Sequence, residues 1–361
     1  MLTKERMTRT INSVKDINLA WLQDTLRDQE EFIQDGILDL HVKQVGEGIG
    51  QLGEFALLET SRESGKTTNI FAKIQTPVEG MDNLAKDYNF YLREVRFYES
   101  LAESINVKTP KAFYVEYDPD SERVVLLLEY MDGWYHPDQI QGASEKEIEV
   151  AIKGLIPISA QFWGTIQEIE WVPNMKADYL LKIVDDMRDY HPAFLEKSSH
   201  IMNSSRQSNL KKIVEYYPNF PDLFTQGTLT LNHWDYRVEN LFFTPELDDL
   251  TVIDWQLVMA QLPGWDLAYL LFTNIEVDLR RKIYASCCKQ YLDGLSEEGI
   301  HFSQKDLERN MMLSLLAMTS FAVIGGANAD RENKRSVKLF EVLTERVFSA
   351  IEDYDAMKFI S

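Results

Sequence analysis

The chain has 361 residues, 45% of them hydrophobic and 26% charged, and a formal net charge of −21. This is the composition of a soluble globular protein with enough chain to bury a sizeable core in two lobes or domains. The acidic balance argues against a nucleic-acid groove, which needs clustered Lys and Arg, and against an anionic membrane surface. It would mildly suit a cationic ligand, but a solvated surface is the simpler reading.

The first segment, "MLTKERMTRTINSVKD", has no apolar h-region, so no signal peptide is expected. Leu19, Leu22 and Leu26 give residues 16–34 a helical spacing. "HVKQVGEGIGQLGEFALLET" reads as strand, Gly-rich turn, strand, and "TNIFAKIQ" follows the turn "RESGK" as a third strand. The helical period returns in "AKDYNFYLREVRFYESLAE", where Tyr88, Tyr91, Leu92, Val95, Tyr98 and Leu101 share a face. "KAFYVEYD" and "RVVLLLEYM" flank "PDSE", a hairpin signal. Residues 1–130 are therefore expected to form one domain, an antiparallel sheet with one central helix.

Residues 131–361 are expected to form a second, larger and mainly helical domain. Ser144 stands three residues before Glu147, the spacing of a capping box. Residues 174–226 read as helices with loops, 228–256 as short strands and turns, and most of 265–355 as helices. Cys287 and Cys288 are the only cysteines, and neighbours in sequence rarely bridge; a reducing, cytoplasmic setting is expected. "MMLSLLAMTSFAVIGGANA", 311–329, has no charge and just reaches membrane-spanning length. Ser314, Thr319, Ser320 and the Gly325–Gly326 pair shorten its apolar part, so a buried core helix is expected there.

Two apolar runs carry charge whose burial is costly unless it is paired or bound to metal. "LNHWDYRVENLFF", 231–243, holds His233, Asp235 and Asn240 in the spacing H-x-D-x4-N, and "VIDWQ" holds Asp254. Phosphoryl transfer from a nucleotide needs such a set: one carboxylate to orient the attacking hydroxyl and take its proton, and an Asn with a second carboxylate to hold magnesium on the phosphates. Other parts of that machinery come in order. Gly46, Gly48, Gly50 and Gly53 sit between two strands, where backbone N–H groups can approach phosphates. Lys73 puts a single cation into an apolar strand, and Glu94 follows on a helix as its partner. "LLLEYMDG", with Glu129 and Met131, can serve as the linker that bonds adenine through backbone atoms. The order matches the kinase plan.

The chain resembles the aminoglycoside phosphotransferase and choline kinase superfamily of protein-kinase-like enzymes, and within it the ecdysteroid-kinase-like branch. "HWDYRVENLFF" stands where that family has its H-x-D-x-x-x-x-N loop, "VIDWQ" where it has its magnesium-binding segment, and "PGWDLAYLL" where a P-x-x-D-L-x-x-L segment follows. The resemblance spans about residues 40–350. It implies an α+β, bilobal protein-kinase-like fold with ATP and Mg2+ as cofactors. It implies Asp235 as catalytic base, Asn240 and Asp254 as magnesium ligands, Lys73 on the phosphates with Glu94 holding it, Gly48 and Gly50 over the phosphates, and Asp266 as a buttress of the catalytic loop. Two departures stand out. Trp234 replaces the usual Gly after the His, which alters the packing of the loop, and Arg237 occupies a position where it could contact the transferred phosphate.

Taken singly, these residues have plainer readings. Lys73 could be an edge-strand gatekeeper, the glycines a plain hairpin, Glu94 a surface charge. His233 is read as a scaffold residue bonded to backbone, since Asp235 fills the role of base. Asp266 follows Asp254 by only twelve residues, with no A-P-E motif and no room for a docking segment, which favours a small-molecule alcohol over a protein as acceptor. Trp134, Tyr135, Trp163, Trp171, Trp265 and Tyr269 are candidate walls for it. A bulky, partly apolar alcohol is favoured. The alternatives are an aminoglycoside- or choline-type kinase, a catalytically silent nucleotide-binding regulator of the same fold, and a membrane-associated protein. Neither nucleic acid nor a membrane is expected as a partner.

Overall fold

A computed structural model describes residues 10–45, 53–76 and 79–360; the expectations placed on Gly46, Gly48 and Gly50 lie outside the described residues. The chain divides into two compact units. One is made of the residues up to Ser104 with Thr109–Gly133, the other of Ile105–Lys108 with the residues from Trp134 onward. The short piece Ile105–Lys108 joins the second unit because the Lys108 carbonyl accepts the Val252 N–H at 2.9 Å and its ammonium lies 4.3 Å from the Trp134 ring centre.

The first unit opens with α1 (Leu19–Leu26) and α2 (Glu30–Ile33). The helical spacing of 16–34 thus yields two helices, the first started by the Asn18 side chain, which accepts the Trp21 N–H. Strands β1 (Ile37–Val45), β2 (Glu54–Arg62) and β3 (Thr67–Ile74) follow, then α3 (Glu79–Asp87), α4 (Phe90–Ser100), β4 (Ala112–Asp118) and β5 (Arg123–Glu129). The five strands form one antiparallel sheet in the order β1-β2-β3-β5-β4. Alternate residues of the sheet, among them Ala56, Leu58, Ile70, Ala72, Val125 and Leu127, pack with Trp21, Leu22 and Leu26 into one core. The single central helix expected here is two helices. Asn89 adopts a left-handed conformation, φ 54, which an Asn tolerates and a helix does not continue through.

The second unit begins with α5 (Glu145–Gln161), whose Ser144–Glu147 capping box forms as the spacing predicts. Helices α6 (Asp178–Lys197), α7 (Ser204–Tyr216) and α8 (Phe220–Leu223) lead to the short strands β6 (Thr230–Asn232), β7 (Leu241–Phe243), β8 (Leu250–Val252) and β9 (Met259–Gln261). These pair as β6 with β9 and β7 with β8. Helices α9 (Trp265–Thr273), α10 (Val277–Glu297) and α11 (Gln304–Ala317) follow, then a π-helical turn at Phe321–Gly325, α12 (Gly326–Asn328) and α13 (Lys334–Asp353). The helical run Gln304–Asn328 is long and apolar enough to cross a membrane, yet 78% of its most apolar window is buried inside the protein. It is a core helix of this unit, packed on α9 and α13. Cys287 and Cys288 are both free and buried.

Candidate active site

In the first unit, Lys73 lies on β3, between β2 and β5, opposite Phe55 and Leu126. It is therefore on an inner strand, and the edge-gatekeeper reading falls away. Its ammonium meets the Glu94 carboxylate of α4 at 2.7 Å, with both side chains buried. A lysine among apolar strand residues holds its charge only with such a partner. Glu129 ends β5, where its N–H goes to the Lys111 carbonyl and its carboxylate accepts the Lys111 N–H. The groups proposed for the linker role are its carbonyl and half-buried Met131.

In the second unit, the catalytic-loop sequence runs from β6 to β7. Asp266, in the first turn of α9, accepts the N–H groups of His233 at 2.7 Å and Trp234 at 2.8 Å. Gly264, at φ 99, makes the turn that sets Asp266 in that place. Burial raises the Asp266 carboxyl to about 7, against the pull of the two N–H donors. This is the loop buttress that the sequence implied. His233 is fully buried, its Nε2 faces the Ile253 carbonyl at 2.9 Å, and burial lowers its pKa. It is a strut between the loop and the segment after β8 that leads to Asp254.

Trp234 has φ 71 and a buried indole that stacks on Trp265, with ring centres 5.1 Å apart. Phe321, on the π turn, lies 5.6 Å from Trp234 and 5.4 Å from Tyr269. The Trp that departs from the family pattern thus builds an aromatic cluster beside the loop. Of the six candidate wall residues, Trp265 and Tyr269 join it. Trp163 packs on Phe302, Trp134 lies beside Lys108, and Tyr135 bonds Glu147. Trp171 is half-buried.

Asp235 is buried, and Asn240 donates to both its carbonyl and its Oδ2 at 3.0 Å. Burial raises the Asp235 carboxyl above the usual range; the Arg237 cation opposes this, and the Asp254 charge adds to it. The Tyr269 hydroxyl faces the same carboxylate and draws its pKa down. The Ile253 N–H donates to the Asn240 carbonyl at 3.0 Å, which draws the end of β8 to the loop, and the next residue, Asp254, sits at φ 64. Its Oδ2 accepts from Gln256 at 3.3 Å. Since the Asn240 nitrogen is spent on Asp235, its amide oxygen and the Asp254 carboxylate are the oxygens that could face a cation. Hard oxygens in that number suit magnesium, which keeps waters in its shell. Among the described residues no group of three or more His, Cys, Asp or Glu could hold a metal.

Arg237 pairs with two carboxylates, Asp235 at 3.3 Å and Glu239 at 3.2 Å. Sequence reasoning missed Glu239 and the approach of Tyr269 to Asp235. Glu239 stands inside the H-x-D-x4-N loop, and its charge in an otherwise buried segment was a usable signal. Tyr269 had no local signal for this, because the approach joins distant parts of the chain.

The family profile described as "Ecdysteroid kinase-like family" matches residues 54–302. The chain belongs to the ecdysteroid kinase-like family. That stretch includes Lys73, Glu94, Asp235, Asn240 and Asp254. No curated protein matches this ecdysteroid kinase-like chain. Among solved structures it is similar to Plasmodium vivax ethanolamine kinase, at 13% identity over 93% of this chain and 88% of that one, TM-score 0.51. It is also similar to wild-type aminoglycoside 2'-phosphotransferase-IIIa in its GDP complex, at 14% identity over 92% and 100%, TM-score 0.52. At these identities the likeness establishes the fold alone: this family member shares the two-part, kinase-like architecture of those two structures.

Proposed function

We propose that the protein is an ATP-dependent small-molecule kinase that transfers the γ-phosphoryl group to an alcohol. The observation that carries this reading is the cluster of Asp235, Asn240 and Asp254, tied together by the Asn240–Asp235 and Ile253–Asn240 hydrogen bonds. In it, Asp235 orients the acceptor hydroxyl and takes its proton as the oxygen attacks phosphorus. Burial favours that role, because a carboxylate lifted above its usual range accepts a proton more readily. Asn240 keeps the carboxylate in one rotamer. Asp254 and Asn240 would hold Mg2+, which would neutralise charge on the phosphates. Lys73, braced by Glu94, would bind phosphate oxygens, and the carbonyl of Glu129 with the backbone of Met131 would receive the base.

For the acceptor, the cluster of Trp234, Trp265, Tyr269 and Phe321 supports a bulky, partly apolar alcohol, since aromatic faces next to a base favour an apolar body with one hydroxyl. The two free thiols support a reducing, cytoplasmic setting. The test is an ATP-consumption screen over aminoglycosides, choline, sugars and steroid or other polycyclic alcohols. Turnover of an apolar alcohol that disappears in Asp235→Asn is expected. Turnover confined to aminoglycosides or choline would overturn the acceptor assignment, and turnover insensitive to Asp235→Asn would overturn the mechanism.

A further inference from the structure

Arg237 Nη1 donates to Glu239 Oε2 at 3.2 Å. Its Nε lies 3.3 Å from Asp235 Oδ2 but off the line that an N–H···O bond needs, so this buried donor has no hydrogen-bond acceptor among the described residues. Asp235 Oδ2 is already bonded by Asn240. The contact that fixes Arg237 is thus the one to Glu239. Glu239 is itself held: its Oε1 accepts from Arg335 Nη2 at 2.6 Å and from the Gln139 N–H at 3.3 Å. Arg335 also donates to Asp138 at 2.7 Å. Four charged residues, Asp138, Arg335, Glu239 and Arg237, run in an alternating row from the first turn of α13 to the catalytic carboxylate.

A guanidinium bonded squarely to Asp235 would suppress its basicity. One held by Glu239 lies beside Asp235 without a direct hydrogen bond to it and keeps a donor for the charge that develops during transfer. We propose that Glu239 and Arg335 are positioning residues for phosphoryl transfer, holding Arg237 so that its spare donor meets the phosphoryl group in flight. The proposal rests on the kinase reading above.

The test uses magnesium ADP, with and without aluminium fluoride as a mimic of the transferring phosphoryl group, titrated calorimetrically into the full chain. Wild type, Arg237→Gln, Glu239→Gln, Arg335→Gln and the Arg237→Gln/Glu239→Gln double variant are compared. In the wild type, fluoride tightens ADP binding by about tenfold or more, the scale of a charge-assisted hydrogen bond. Glu239→Gln and Arg237→Gln each lose about tenfold of that gain while ADP affinity stays within about twofold, and the double variant loses no more than either single one. Arg335→Gln loses about threefold, as expected for a residue one contact further away. A merely structural row would move ADP and ADP–fluoride binding alike. That outcome overturns the proposal, as does a Glu239→Gln chain that keeps its gain, or a wild type that binds ADP without any gain. If Glu239→Gln does not fold, the more exposed Arg335→Gln decides, and an unchanged gain there overturns it. A wild type that binds no magnesium ADP overturns the kinase reading itself, and the proposal with it.

Discussion

Asn240 grips Asp235 at two points, its backbone carbonyl and its carboxylate, each at 3.0 Å. The carboxylate is therefore oriented before any substrate arrives, and an amide in its place would keep the geometry while losing the base. Asp235→Asn is expected to lower phosphoryl transfer about 10²–10⁴-fold. Its melting temperature should match or exceed that of the wild type, because a neutral group is less costly to bury than a carboxylate. Single-turnover transfer and a thermal melt check both halves; activity within threefold of wild type rejects the assignment.

Asp254 combines a left-handed backbone, φ 64, with the carboxylate assigned to the metal. Replacement by Ala removes the carboxylate and leaves, in the left-handed conformation, a residue that tolerates it less well than Asp, a strain of about 1–2 kcal/mol. Asp254→Gly removes only the carboxylate and is the cleaner variant. It should fold normally and lose the magnesium-dependent part of the thermal shift given by ATP. A magnesium-dependent shift equal to that of the wild type would reject Asp254 as a ligand.

Lys73 and Glu94 share a buried ion pair at 2.7 Å. Removing one member of such a pair leaves the other charge buried, at about 3–5 kcal/mol. Lys73→Ala and Glu94→Ala are both expected to lower stability on that scale in urea titrations. Productive ATP use should suffer more in Lys73→Ala, since in the proposed mechanism Lys73 contacts phosphate and Glu94 acts through it. Equal activity of Lys73→Ala and wild type would mean that the strand assignment has no bearing on the nucleotide.

Asp266 gives the chain a pH signature. Its folded carboxyl is raised to about 7 by burial, against about 3.9 unfolded. Proton binding therefore favours the folded state. The contribution is complete below about pH 4 and is lost as pH rises through about 7, on the order of 3–4 kcal/mol in all. Asp266→Asn lacks this component. The stability difference, wild type minus Asp266→Asn, should shrink from pH 4 to pH 8 in denaturant titrations; a constant difference would show that Asp266 stays ionised on its two N–H donors.

At Trp234, two effects compete. Its left-handed backbone, φ 71, would be relieved by glycine, a gain of about 1–2 kcal/mol. The buried indole stacked on Trp265 would be lost, a cost of about 3–5 kcal/mol. Trp234→Gly should therefore destabilise by a few kcal/mol. A rise in melting temperature would mean that backbone strain is the larger quantity.

What could be read from the sequence was whatever short-range chemistry encodes. The Ser144–Glu147 box, the β4–β5 hairpin and the spacing of Asp235 and Asn240 involve residues a few positions apart, where side-chain type and geometry determine each other. The break at Asn89 was hidden because the apolar period of Tyr88 to Leu101 continues across it; a left-handed residue alters the path and leaves the pattern intact. The stack of Trp234 on Trp265, the approach of Tyr269 to Asp235 and the anchoring of Glu239 by Arg335 are tertiary events. Each residue alone reads as an ordinary core aromatic or surface charge, and only the fold shows which partner it has.

The π turn at Phe321–Gly325 works as a spacer. It holds one residue more than an α-helical turn, so the helix arrives at Gly326 out of step with its start at Gln304. Phe321, at the start of the turn, lies near Trp234 and Tyr269, and Gly325, at its end, passes so near Phe340 that a Cβ would lie 2.2 Å from the ring. Excising one residue from 321–325 would rotate the helical residues beyond it by about 100°. Phe321 and Gly325 could then no longer hold both contacts at once. The aromatic wall beside the catalytic loop and the seating of α13 are thus set by the same extra residue, and neither can be re-phased without the other.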